Sequence, residues 1–355
     1  MTTRERLFVL ARGEVPDRGM FWPEVPWPET RTRWIAEGMT DDYDFGFDPC
    51  NSSIDLEIGY WPAWETGVVR DEGNHVLMRD QYGIIRRSSK AGRPDIAQYV
   101  TFPVSDRKSW EELRPRLAAD APGRFEPGWS KQLDRVFEGL PLSFGRGHLC
   151  GFFSFLRELF GDEEVYYLLA DDPDLAREIL DFQVARLSGM LKHITAEVKV
   201  DRVAIWEDMC YKNGPLISPE MFRKFILEPC RHYIENAKSM GVEIFDVDSD
   251  GKVDKLLPLW IEAGVNMHHP FEVQAGMDVN EVLSVSGSGI CVCGGIDKRE
   301  LAKGREAIDS EVERIRPAFE TGRYIPFADH SIPPDVSFDD YQYYTEKRAE
   351  LVGAI

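Results

Sequence analysis

From about residue 140 onward, short apolar runs alternate with helical patterns, and that alternation most constrains what this chain can fold into. The runs read "PLSFGRG", "RVAIWEDM", "EIFDVDSDG", "VNMHHPF", "GICVCGGID" and "YIPFADHS". Runs of this kind suit strands buried in a parallel sheet, each followed by a helix that crosses back. Two weaker runs, "GMFWPE" and "YDFGFDP", come earlier and bring the count to eight. Eight such units favour an α/β fold of the (β/α)8 TIM-barrel type, in which chemistry collects at the C-terminal ends of the strands. A doubly wound sheet is the runner-up. It lacks a dinucleotide turn, because "GRGHLCG" has the wrong spacing and "GSGICVCGG" precedes a strand instead of following one.

Helix starts are legible as well. "DDPDLAREILDFQVARLSGMLKHI" opens on Asp and Pro, and "SPEMFRKFILEPCRHYIENAKSMG" has Ser218 as its cap, Pro219 at the first helical position and Gly241 as its stop. Residues 1–140 are richer in Trp, Pro and Gly and are expected to supply N-terminal helices, loops, the first strands and a hairpin in "NHVLMRDQYGIIRRSS". Residues 141–345 carry the regular strand–helix units. With no linker or internal repeat, the reading is one barrel domain over residues 1–355.

A net charge of −20 argues against nucleic-acid and anionic-membrane partners, which demand clustered Lys and Arg. The charged start "MTTRERLFVLARGEVPDRG" lacks the apolar core of a signal peptide, and no run is long enough to span a bilayer. Six scattered cysteines suit reduced thiols, so a cytoplasmic location is expected. Cys291 and Cys293 share one face of a strand and read as buried core.

Polar residues stand at nearly every strand end: Arg146 and His148, Glu207 and Asp208, Asp246, Asp248 and Asp250, His268 and His269, Asp297, and Asp329 with His330. Any one of them could be a helix cap or loop anchor, since Asp caps helices well. Together they mark a site. Of the two adjacent histidines, His269 is the better candidate to face substrate. Tyr211 after "WEDMC" is a further substrate-binding candidate, as are Asp208 and His148.

Five stretches, "RERLFVLARGEVPDRGMFW", "GPLISPEMFRKFILEPCRHYIENAKSMG", "DSDGKVDKLLPLWIEAGVN", "GGIDKRELAKG" and "YIPFADHSIPPDVSFDDYQYY", resemble the uroporphyrinogen decarboxylase (URO-D) superfamily. The resemblance covers nearly the whole chain, is loose between residues 40 and 140, and implies the same barrel. It further implies that Asp80, in "RDQYG", holds a hairpin position typical of the family, which makes it a substrate-binding candidate. It also implies one of two chemistries. One is decarboxylation of a porphyrinogen without a cofactor. The other is methyl transfer to or from a corrinoid carried on a partner protein. The decarboxylases carry an arginine-rich segment after the first strand, where this chain reads "MFWPEVPWPET", with Glu24 and Glu29 and no arginine. A substrate with many carboxylates would meet acids and indoles there. Trp22, Glu24 and Trp27 instead suit a flat, weakly polar substrate such as a methoxylated aromatic.

The coenzyme M methyltransferases of the superfamily hold zinc with a His-x-Cys-Gly segment and a later Cys. On this resemblance Asp248 takes the His place, Asp250 the Cys place, and His330 the later Cys, with Glu207 and Asp208 nearby. Three readings of this set stay open. The oxygens and imidazole hold a metal, zinc or another divalent ion, as a Lewis acid. Or the carboxylates raise one another's pKa and one donates a proton to a leaving oxygen. Or Asp250 and Gly251 make a tight turn and the acids are satisfied by backbone N–H groups. The resemblance thus implies an O-demethylase-type methyltransferase with a small-molecule methyl donor, a corrinoid-binding partner protein, and Asp248, Asp250, Glu207 and His330 as catalytic residues. A decarboxylase of another substrate and a non-catalytic binding barrel remain alternatives, and a homodimer is open because related barrels often pair.

Overall fold

Parallel strands in chain order form the centre of this computed structural model, which describes residues 1–49, 52–54, 58–91, 97–125, 127–132, 139–145, 147, 149–287 and 289–355. Among the described residues, one sheet runs Ser52–Ser53, Leu142–Phe144, Arg202–Trp206, Ile244–Asp248, Met267–His269, Cys291–Cys293 and Tyr324–Ile325. The segment 19–27 closes the ring between its two edges. On one side Asp48 N–H donates to Phe21 O at 2.9 Å; on the other Trp27 N–H donates to Ile332 O at 3.1 Å and Ile332 N–H to Val25 O at 3.0 Å. The sheet is therefore an eight-staved barrel, as the alternating runs imply.

The run "GMFWPE" lies in the segment that forms the first stave, whose one bridge is made just past the run, at Pro26, rather than by a full strand. The run "YDFGFDP" does not become the second. That stave is Ser52–Ser53, while Tyr43, Phe45 and Phe47 form a ladder of rings at 4.8 and 5.4 Å that packs on Phe338 and Tyr341. The alternation of these aromatics is real, but it serves ring packing against the last helix.

The helix starts are as expected. Asp172 caps Pro173–Thr195 by accepting from Leu175 N–H at 3.0 Å, and Ser218 caps Pro219–Phe225 by accepting from Met221 N–H at 3.1 Å. The second helix does not run unbroken to Gly241. It interrupts at Ile226 and resumes as Leu227–Ser239, because Pro229 has no N–H to give to Phe225 O. These helices cover the outer faces of Val203, Ile205, Phe245 and Val247, all buried. Trp260 packs edge-on to Phe222 at 5.7 Å in this layer, and truncating such a ring costs about 3–5 kcal/mol.

The floor of the barrel is sealed from below. Helix Thr3–Ala11, held by a reciprocal cap between Thr2 and Glu5, inserts Leu7 and Leu10 against Met20, Ile244, Met267 and Ile325. Cys291 and Cys293 belong to this apolar floor. The expected hairpin forms too, inside a four-stranded antiparallel sheet of Gly67–Asp71, His75–Arg79, Ile85–Ser89 and Ala97–Thr101. No helix among the described residues is long and apolar enough to cross a membrane.

Candidate functional site at the barrel mouth

Strand Ile244–Asp248 sets the geometry. Alternation turns Phe245 and Val247 outward, so Asp246 and Asp248 face the barrel interior. Its register places Asp248 level with Trp206 on one neighbour and His269 on the other. Among the described residues a floor of apolar side chains seals one end, and at the opposite end lies a cavity of about 570 Å³. Trp22, Trp206 and Phe327 give it aromatic walls; Asp208, Asp246, Asp248 and Asp250 give it acid groups; Arg202, His269 and His330 oppose them.

Asp246, Asp248 and Asp250 tolerate one another because each has a basic neighbour. Asp246 is 2% exposed, its Oδ1 is 3.0 Å from His269 Nδ1, and its Oδ2 is 3.5 Å from Arg202 Nη1. Burial alone would raise its pKa, yet the His269 charge and hydrogen bond and the Arg202 charge bring it below the usual value. His269 shows the reciprocal effect: burial opposes its charge, but Asp246 and Asp248 push its pKa up to about 9. Its Nε2 lies 3.6 Å from Asp248 Oδ2. Across the mouth His330 Nε2 lies 3.6 Å from Asp250 Oδ2, and that contact holds the imidazolium above its ordinary range. The site thus holds two histidine–carboxylate pairs, in each of which the acid favours the protonated ring.

Asp208 is the strained member. Its φ of 40° is the left-handed backbone that side chains rarely adopt. Burial, then the charges of Asp250 and Asp248, push its pKa up to about 6.

A sequence profile of the family "Uroporphyrinogen decarboxylase (URO-D)" matches residues 153–351, which spans every strand from Arg202–Trp206 onward. The chain belongs to the URO-D family. Among solved structures, a methyltransferase from Methanosarcina mazei is similar over 99% of both chains, at 15% identity and a TM-score of 0.58. That likeness shows a shared fold. A search of curated protein sequences finds no match.

This URO-D barrel brings together eight of the residues singled out from sequence: Trp22, Glu24, Asp208, Asp246, Asp248, Asp250, His269 and His330 all line the cavity. Glu24 reaches it only with its flank. Its carboxylate is 3% exposed and accepts from Tyr341 and Tyr344 hydroxyls at 2.9 and 2.7 Å while pairing with Arg348 at 2.8 Å. It ties the first stave to the last helix rather than binding substrate.

Glu207, expected to be catalytic, turns away from the cavity. It is buried and accepts the N–H groups of Phe152, Phe153 and Ser154 at 2.8, 3.1 and 3.1 Å. A carboxylate there complements the positive end of helix Phe153–Phe160, while burial pushes its pKa up to about 7. Asp80 is a turn residue, accepting from Tyr82 and Ile84 N–H at 2.9 and 3.0 Å and pairing with Arg86. Trp27 precedes helix Pro28–Ala36, half-exposed and outside the cavity lining, and Tyr211 is 63% exposed on a short ribbon. Arg146 and His148 lie outside the described residues.

The set implied for zinc is divided. Asp250 turns to His330 and Asp248 to His269, and among the described residues no three His, Cys, Asp or Glu side chains converge as metal ligands do. As placed, these residues do not fit a metal ion.

Asp246, already marked as a strand-end acid, joins the site, and the structure adds Arg202, Trp206 and Phe327. Asp246 is legible from alternation alone. Arg202 is not, because it starts its strand and only a long side chain carries its guanidinium up into the cavity.

Proposed function

We propose that this chain is a methyltransferase that takes a methyl group from a methoxylated aromatic substrate and passes it to a corrinoid on a partner protein. One observation carries the reading: two imidazoles, each facing a carboxylate that favours its protonated form, stand in an aromatic-walled cavity at a barrel mouth. An aryl methyl ether is a flat ring with an oxygen that leaves poorly unless it is protonated. Trp22, Trp206 and Phe327 offer faces and edges to the ring.

His330 is the proton donor in this scheme. When the C–O bond breaks, its electron pair stays on oxygen, and the imidazolium proton moves there to give a neutral phenol. Asp250 stabilises the imidazolium beforehand and accepts its contact afterwards. His269 is held on both nitrogens by Asp246 and Asp248 and keeps its proton up to about pH 9. It therefore acts as a fixed positive charge facing the developing phenolate. The corrinoid, when delivered, supplies the nucleophile that accepts the methyl carbon. Pro23 and the exposed Val25 beside Trp22 give the mouth an apolar edge suited to a docked carrier.

Arg202 favours a second reading, decarboxylation of a carboxylate substrate other than uroporphyrinogen. Its guanidinium already faces Asp246 at 3.5 Å, and an acidic substrate would meet Asp208, Asp248 and Asp250 beside it. The first reading is therefore preferred. The test is anaerobic incubation of the protein with methoxylated aromatics and reduced corrinoid on a carrier protein. Appearance of methylated corrinoid and free phenol supports methyl transfer; carbon dioxide release from an aromatic acid with no corrinoid dependence supports the alternative.

A further inference from the structure

Asp250 and His330 stand on loops that follow the strands Ile244–Asp248 and Tyr324–Ile325, with two further strands between them. Holding them 3.6 Å apart is therefore a problem for four loops, and the two intervening loops carry the charges that solve it. Glu272, after Met267–His269, accepts the Gly251 N–H with Oε2 at 2.9 Å, pinning the residue next to Asp250. Its Oε1 lies 3.9 Å from Lys298 Nζ, on the loop after Cys291–Cys293. The same ammonium lies 3.6 Å from Asp329 Oδ1, the residue before His330. Asp329, 1% exposed, also accepts Val273 N–H at 2.9 Å. The tie is close-fitting at its first end, since Gly251 has φ +81° and a Cβ there would meet Cys210 O at 2.5 Å.

We propose that Glu272 and Lys298 are positioning residues, a charged bridge across four successive loops that sets where Asp250 and His330 meet. The importance of that meeting rests on the proton-donor reading above; the bridge itself does not. Neither residue lines the cavity, so both act through the pair. Lys298 sits between two carboxylates. Removing its charge leaves Glu272 and Asp329 facing each other and drives apart the loops they hold. Glu272→Gln keeps an acceptor for Gly251 N–H but releases Lys298 toward Asp329. Both changes alter the Asp250–His330 contact, whereas Lys298→Arg preserves the charge.

The test uses the full chain labelled with 15N-histidine, with the ring signals of His330 and His269 assigned from His330→Gln and His269→Gln. The ring signals of His330 shift in Lys298→Met and in Glu272→Gln, return toward wild type in Lys298→Arg, and those of His269 stay in place throughout. The bridge is overturned if His330 does not move while the melting temperature falls, which is what a simple loop anchor would give. It is equally overturned if His269 moves as far as His330, the sign of a general loosening of the mouth. Should Lys298→Met fail to fold, Glu272→Gln decides alone. A His330 signal that shifts as expected, in a protein that transfers no methyl group, supports the bridge and removes the proposed reaction instead.

Discussion

Asp246 Oδ1 lies 3.0 Å from His269 Nδ1, and the two residues hold opposite charges inside a barrel wall that shields the acid almost completely. The pairing predicts a pH signature. The folded pKa of His269, about 9, lies above its ordinary value of 6.5, so the stability it adds is complete below 6.5 and is lost as pH rises through about 9. Asp246→Asn leaves Arg202 and His269 without their shared counter-charge. It should destabilise the protein by about 3–5 kcal/mol at pH 7, with the gap to wild type narrowing toward pH 10. Urea unfolding across that range measures both.

The neighbouring histidine behaves in the opposite sense. His268 points out of the barrel between Trp260 and Phe271, at 5.0 Å from each ring, and neither of its buried ring nitrogens has a hydrogen-bond partner. Burial, then the charge of His269, pushes its pKa down to about 3. The folded state therefore refuses a proton that the unfolded chain accepts, and stability falls as pH drops from about 6.5 toward 3. His268→Phe should raise stability by about 1–3 kcal/mol and flatten that acid slope, as read by denaturant unfolding at pH 7 and pH 5.

Glu24 and Arg348 form the buried tie between the first stave and the last helix, with Arg348 Nη2 also donating to Trp22 O at 2.8 Å. Arg348→Ala should cost about 3–5 kcal/mol, because it strands a carboxylate that is 3% exposed. The double change Glu24→Gln with Arg348→Met should recover part of that loss. A double-mutant cycle by thermal or urea unfolding gives the coupling.

Asp208 trades stability for its place in the cavity. Asp208→Gly removes a side chain from a backbone at φ 40° and should stabilise the fold by about 1 kcal/mol, while lowering methyl transfer. A variant that is both less stable and equally active would contradict this view of the residue.

Much of the barrel was legible because parallel strands buried on both faces leave unbroken apolar runs, and the six C-terminal runs each contain an observed strand. The aromatic ladder at Tyr43, Phe45 and Phe47 misled because period-two alternation reports burial of one face, whatever the backbone pairs with. At the site, strand-end logic found His330, His269, Asp248 and Asp250, whose short side chains reach only what lies beside them. It failed for Glu207, one residue past its strand, where the chain turns and the carboxylate meets a helix start instead. Asp80 is suggested by the family resemblance alone, and its turn role is visible only once the two N–H groups it accepts from are placed. Strand-end logic passed over Arg202, whose reach is longer than its distance from the strand end suggests.

The most direct test of the proton-donor claim varies the leaving oxygen. Single-turnover methyl transfer to reduced corrinoid is measured for wild type and His330→Gln with a methoxyphenol, a poor leaving group, and with 4-nitroanisole, a good one. The account predicts that His330→Gln loses about 10²-fold or more with the methoxyphenol and little with 4-nitroanisole, which leaves without a proton. Equal losses with the two substrates, or no loss with either, would contradict it.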